Sequence, residues 1–335
     1  MQTLFLILIS LISAGLSFAT IGGDATSAIA NGAGYSSIPQ AVRDFYSKEV
    51  LFQAQPRCKF LQFAKVKRDL QAIKGKSIVF TKYGNLAGGG SLLESDTLEA
   101  QTMSTSEISI AVTEQANAIT LTEMLIRTSL LDVLGDASKS LANNLAIVLD
   151  KQFRDVAIAT TNVVFGNGAA TAAAMNAGST FNSRTVKDAV EVLAINNAPK
   201  FNNEYYVCIA HPKQLRQLRD DANWINANTY MGRRQLYVGE VGMYEGVIFI
   251  ETTQMTHINN ADMVTKYGAY TPDYGCEAVI FGENAYAWAI ALDVELRDDG
   301  IVELGRKRTI GWYGIWGTGL IEEDNVIRVV TAATA

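Results

Sequence analysis

Ser77-Ile78-Val79-Phe80-Thr81-Lys82-Tyr83-Gly84-Asn85 alternates from face to face and then turns. Ile78 and Phe80 fall on one side of an extended chain, with Ser77, Val79 and Thr81 on the other, because successive strand side chains point to opposite faces. The triple glycine Gly88-Gly89-Gly90 and a polar stretch follow, and the alternation resumes with Ile108, Ile110 and Val112 against Ser109, Ala111 and Thr113. Two such strands around a long glycine-rich connection define an extended hairpin over residues 74–121. A connection of that length is unusual inside a compact domain. It is read as an arm that reaches over another molecule.

Outward from the hairpin, residues 122–160 carry the strongest helical pattern in the chain. Leu134, Ala137, Leu141, Leu145, Val148, Gln152 and Val156 recur at steps of three and four, and Leu130, Leu131, Leu149 and Phe153 broaden the stripe. A single helix here would run about 50–58 Å at about 1.5 Å per residue, with Gly135 as the place for a bend or break. Beyond the small residues 166–178, elements alternate. Ser183 is expected to cap a helix that carries Val186, Ala189, Val190 and Leu193 and ends before Pro199. Strands are expected at 205–210, 246–251, 278–281, 285–293 and 326–330, with a short helix opening at His211-Pro212. Intermixed strands and helices define an α+β protein.

The chain has 335 residues, 48% hydrophobic and 19% charged, enough for one large domain or two smaller ones and too apolar for disorder throughout. A net charge of −6 argues against intimate phosphate binding, which favours basic surfaces. Cys58, Cys208 and Cys276 are scattered and odd in number, which argues against a disulfide framework or a zinc site and for buried reduced thiols. Residues 4–16 form an apolar run too short to span a bilayer. Three readings fit the segment 1–19: a signal-like segment ending at Ser17-Phe18-Ala19, a mis-assigned start, and an assembly arm. The absence of Lys and Arg from Met1-Gln2-Thr3 weighs against the first. Residues 20–37 are rich in Gly, Ala, Ser and Thr and read as a flexible arm, before a helix over 40–53.

No catalytic constellation emerges. Gly75-Lys76-Ser77 copies the end of a phosphate-binding loop, but Leu70 stands where its first glycine belongs, so it is read as a turn entering a strand. Gly166-x-Gly168 and Gly317-x-Gly319 lack the third glycine of a dinucleotide fingerprint, and no Gly-x-Ser-x-Gly elbow exists. His211 is expected to hydrogen-bond its local turn. His257 is expected in a polar loop without a second ligand. Asp220-Asp221, Asp298-Asp299 and Glu322-Glu323-Asp324 read as solvated turns. Lys65, Lys67, Arg68, Lys74 and Lys76 read as a solvated face or subunit contact, and Trp312, Tyr313 and Trp316 as core or interface. No catalytic, cofactor or metal residue is assigned. Self-association is the leading physical hypothesis.

The order of the segments carries a resemblance. The strand at 108–121 passes into Thr122-Glu123-Met124-Leu125. Ala210-His211-Pro212 leads to Leu215-Arg216-Gln217-Leu218-Arg219-Asp220-Asp221-Ala222-Asn223-Trp224. Gly239-Glu240-Val241-Gly242-Met243-Tyr244-Glu245-Gly246-Val247-Ile248-Phe249-Ile250-Glu251 follows, then Phe281-Gly282-Glu283-Asn284-Ala285-Tyr286, Gly311-Trp312, and Asn325-Val326-Ile327-Arg328-Val329. In this order they resemble the major capsid proteins of tailed bacteriophages, in particular the group typified by coliphage N-four, over residues 39–335.

The resemblance implies an HK97-like capsid fold. Its parts would be an N-terminal arm (20–73), an extended β-hairpin loop (74–121), a peripheral domain with a long spine helix (122–184 and 256–335), and an axial domain (185–255). It implies a non-enzymatic subunit that forms pentamers and hexamers and closes into an icosahedral shell around double-stranded DNA, without sequence-specific binding. Scaffold, portal and decoration proteins are the implied partners. The implied location is the virion, after assembly in the host cytoplasm and without stable membrane association. Tyr230, Arg233 and Arg234, in the loop 226–238, would lie near the capsomer axis. Lys82, Gly84, Gly88, Gly89 and Gly90 would belong to the inter-subunit loop. Some relatives cross-link that loop through a Lys–Asn isopeptide bond, for which Lys82 is suggestively placed, though most do not. The apolar start departs from the pattern. An encapsulin-type compartment and a secreted surface-layer-like protein are the alternatives.

Overall fold

The computed structural model describes residues 58–68, 75–84, 102–129, 133–224 and 240–333; the apolar start, the helix expected at 40–53, Gly88, Gly89, Gly90, Tyr230, Arg233 and Arg234 lie outside them. After a short strand β1 (Lys65–Lys67), β2 (Ser77–Tyr83) pairs antiparallel with β3 (Thr105–Ala111), from Ser77 opposite Ala111 to Tyr83 opposite Thr105. Ile78, Phe80 and Ile110 are buried on one face, as the alternation requires. The chain does not continue as one strand to Leu121. It breaks at Val112, and β4 (Thr113–Thr122) leaves the hairpin to pair along its own whole length with β12 (Lys307–Leu320), from Lys307 to Trp316. With β11 (Tyr286–Val302), these make a four-stranded sheet in the order β1-β11-β12-β4.

Helix follows directly on β4, but not as one rod. Pairing with Lys307 holds Thr122 extended, and its hydroxyl caps α1 (Glu123–Thr128) by accepting the Leu125 N–H at 3.3 Å. Ser129 is extended (ψ 136°) and ends this helix. The second helix, α2 (Val133–Ile158), has 26 residues, about 39 Å at 1.5 Å per residue. The interruption therefore precedes Gly135, which lies in the first turn of α2. The stripe holds: Ala137, Leu141, Leu145, Leu149, Phe153 and Ala157, each four on from the last, are all buried.

The second sheet has the order β5-β13-β10-β6-β8-β7, with β9 also on β10. Its strands are β5 (Val163–Phe165), β6 (Tyr206–Ala210), β7 (Glu240–Tyr244), β8 (Val247–Glu251), β9 (His257–Asn259), β10 (Tyr274–Phe281) and β13 (Val326–Ala333). Val207, Ile209, Ile248, Ile250, Val279 and Phe281 share a core with α2. The alternate positions Tyr206, Cys208, Ala210, Val247, Phe249, Ala278 and Ile280 pack with α3 (Ser183–Ile195) and α4 (Pro212–Arg219). Burial on both faces explains why these strands read as unbroken apolar runs. The cap of α3 is Asn182 and not Ser183: Asn182 Oδ1 accepts the Thr185 N–H at 3.0 Å, while the Ser183 N–H goes to Asp221 at 2.9 Å. A last helix, α5 (Asn260–Tyr267), carries no sequence signal strong enough to have been expected; Asn259 caps it.

Candidate assembly surface

The root of the hairpin lies across the four-stranded sheet on the side away from α2. Ile78, Phe80 and Ile110 pack on Ala287 and Ala289 of β11. Beside them on β12, a Cβ on Gly317 would collide with the Ala111 carbonyl oxygen, and one on Gly319 would stand 2.8 Å from the Ile110 side chain. Small residues thus floor the bed in which the arm lies. On the opposite face, Trp288, Ile290, Trp312 and Trp316 join the α2 core. The sheet is braced by the helix on one side and carries the arm on the other.

The arm is a separate two-stranded sheet. Hydrogen bonds from Val112 N to Lys76 O (3.1 Å) and from Gly84 N to Ser104 O (2.9 Å) close its two ends. By the antiparallel alternation they direct the peptide groups of Ser77, Val79, Thr81 and Tyr83 toward the outer edge of β2. The Lys67 ammonium donates to Val79 O on that edge at 2.7 Å. Val79, Tyr83 (62% exposed) and Met103 (58%) are apolar side chains left facing outward.

Of the residues named from the sequence, Lys82 and Gly84 sit at this end of the hairpin. The Lys82 ammonium forms an ion pair with Glu322 of its own chain, beyond β12. Lys67 bonds the arm, and Arg68 lies 3.4 Å from Asp293. Trp312 and Trp316 are buried. Tyr313 lies under the Arg297 guanidinium, 3.8 Å from its ring centre. Asp298 is no solvated turn residue: it lies in β11 and takes both Arg308 Nε and Nη2, at 2.8 and 2.6 Å.

The reactive groups serve structure. All three cysteines are buried thiols. Burial pushes the Cys58 and Cys276 thiols up to about 12, and raises Cys208 as well. His211 bonds its turn as expected, accepting the Lys213 N–H as the cap of α4. His257 departs from expectation. It lies on β9, and its ring stacks on His211 at 5.3 Å, a meeting the sequence separation concealed. Among the described residues no cluster of His, Cys, Asp and Glu is placed to hold a metal ion, and no helix is long and apolar enough to cross a membrane.

A two-stranded arm bedded on a helix-braced sheet, and a second sheet buried on both faces, give the HK97-like fold. The chain belongs to the phage capsid protein family, whose profile matches residues 60–296. Its fold is similar to the capsid of Ralstonia phage GP4 (TM-score 0.69, 17% identity, covering 82% of this chain and 88% of that one). It is also similar to the cyanophage Pam1 capsid (0.63, 16%, 81% and 88%) and to the head of Helicobacter pylori bacteriophage KHP40 (0.62, 14%, 83% and 91%). No curated protein sequence matches it.

Proposed function

We propose that this capsid protein is the major subunit of the head, forming pentamers and hexamers that close into an icosahedral shell around double-stranded DNA. The observation that carries the reading is the arm. Among the described residues β2 and β3 pair only with each other, and they turn Val79, Tyr83 and Met103 outward. Exposed apolar groups on a ribbon that pairs with no other described strand are satisfied when a neighbouring copy covers them. In this reading 74–121 is the loop that laps onto the neighbour, 122–184 with 256–335 the peripheral domain, and 185–255 the axial domain. Tyr230, Arg233 and Arg234 face the capsomer axis, and scaffold, portal and decoration proteins join during assembly in the host cytoplasm. The run 239–253 supports placing it in the group typified by coliphage N-four. Negative-stain electron microscopy of the purified protein tests the proposal. Closed cages of uniform size are expected, and nucleic acid recovered from infection-derived particles separates a head from a protein-filled compartment. A solitary monomer under every assembly condition overturns it.

A further inference from the structure

The two histidines of the chain meet in space. His211 caps α4: its Nδ1 accepts the Lys213 N–H at 3.2 Å, and Gln214 Oε1 completes the box by accepting the His211 N–H at 3.3 Å. A ring nitrogen accepts only when it lacks a proton, so this cap requires a neutral His211 protonated on Nε2. His257 on β9 stacks on it with ring centres 5.3 Å apart and planes within 17°. Tyr274 on β10 continues the column at 5.4 Å and 1°. Lys213 Nζ lies 3.2 Å from His257 Nε2. An ammonium can only donate, so this contact is a hydrogen bond only while His257 Nε2 carries no proton.

Each element around the column brings its own titratable groups. From α4 comes Lys213, from β9 His257 itself, and from β10 Tyr274 and Cys276. Cys276 pairs with His257 in the strand register, and its thiol stays protonated through burial. Two carboxylates of the same sheet are engaged elsewhere: Glu277 with Lys266 at 2.7 Å and with the Tyr267 hydroxyl, Glu251 with Arg219 at 3.2 Å. Burial first, then the repulsion that a proton on His257 would add and the charge of Lys213, hold His211 below the usual histidine range.

We propose that His211 and His257 form an acid-sensitive clasp that fastens α4 to β9 and opens when either ring takes a proton. A protonated His211 has no lone pair with which to cap α4, and a protonated His257 has none for Lys213. Either change sets an imidazolium against a second ring beside an ammonium, in a half-buried site. His211, held below the usual range, binds fewer protons in the fold than a free imidazole does. The clasp therefore holds fully above the ordinary histidine pKa of about 6.5 and weakens as the pH falls below it. It does not depend on the shell-building reading.

Thermal unfolding of the full-length, unassembled chain between about pH 8 and about pH 5, where histidine titrates, tests the clasp. Two variants serve as references: His257→Phe keeps a ring in the column without a proton to gain, and His211→Asn keeps a capping oxygen. The wild-type midpoint is expected to fall by about 2–4 °C more than that of either variant over this range. Equal falls overturn the proposal. Should both variants fold poorly, 13C-labelled histidine in the wild type gives two ring signals whose titration is read directly. The His211 signal is expected to titrate below the free-histidine value, and a midpoint at or above it overturns the clasp.

Discussion

Trp316 on β12 donates its indole N–H to Gln152 Oε1 on α2 at 2.8 Å. Trp312 does the same to Asn144 at 3.2 Å. Eight helical residues rise about 12 Å and four strand residues about 13 Å, so the two bonds match only if the helix runs along the strand. The pair sets both the direction and the register of the spine on its sheet.

Trp316→Phe keeps most of the packing and removes the bond, so a loss of about 1 kcal/mol is expected. Trp316→Ala opens a cavity under the arm's bed and is expected to lose about 3–5 kcal/mol. Denaturant titration of the unassembled subunit measures both, and an unchanged stability in Trp316→Phe would show that the indole N–H contributes nothing.

Asp150, buried on α2, accepts the backbone N–H groups of Lys59 at 2.8 Å and Phe60 at 3.1 Å. Burial outweighs those bonds and raises its carboxyl above the usual range. A raised native pKa stabilises the fold below the unfolded value and loses that contribution as the pH rises through the native one. Asp150→Asn keeps an acceptor without the charge. Its stability relative to wild type is therefore expected to improve from acid toward neutral pH. Asp150→Ala strands two buried donors and is expected to cost about 2–4 kcal/mol. Melting curves across pH separate the cases.

Replacing residues 85–103 by Asn-Gly closes the hydrogen-bonded Gly84–Ser104 pair with a tight turn and keeps the register of β2 on β3. Since Ile78, Phe80 and Ile110 stay bedded on Ala287 and Ala289, the subunit is expected to fold with an unchanged circular dichroism spectrum. Stable shells are expected to be lost in electron micrographs. Normal shells from this variant would remove the arm from the assembly mechanism.

Arg233→Glu with Arg234→Glu is expected to reduce capsomer formation, measured by sedimentation, while leaving the monomer folded. Normal particle yield would count against the axial placement of 226–238.

Because Cys58, Cys208 and Cys276 are buried with raised thiols, a thiol reagent is expected to label none of them in the native chain and all three after denaturation. Rapid native labelling at any of the three would show that local opening exposes that core.

Residue order alone was enough to read the hairpin, the buried stripe of α2, the strands 205–210 and 246–251, and the cap at His211. Each depends on neighbours a few residues away, where periodicity and capping act. It did not reveal β12: Gly311, Gly314, Gly317 and Gly319 have little strand preference of their own, and they suit a strand only because the arm lies so close above two of them. The departure of β4 from the hairpin was likewise set by pairing with a strand nearly two hundred residues away in the chain. The stacking of His211 on His257 also waited on the packed fold. Two rings that mean little apart acquire a shared proton chemistry once α4 and β9 are packed on β10, because distance in space and not along the chain sets how strongly they interact.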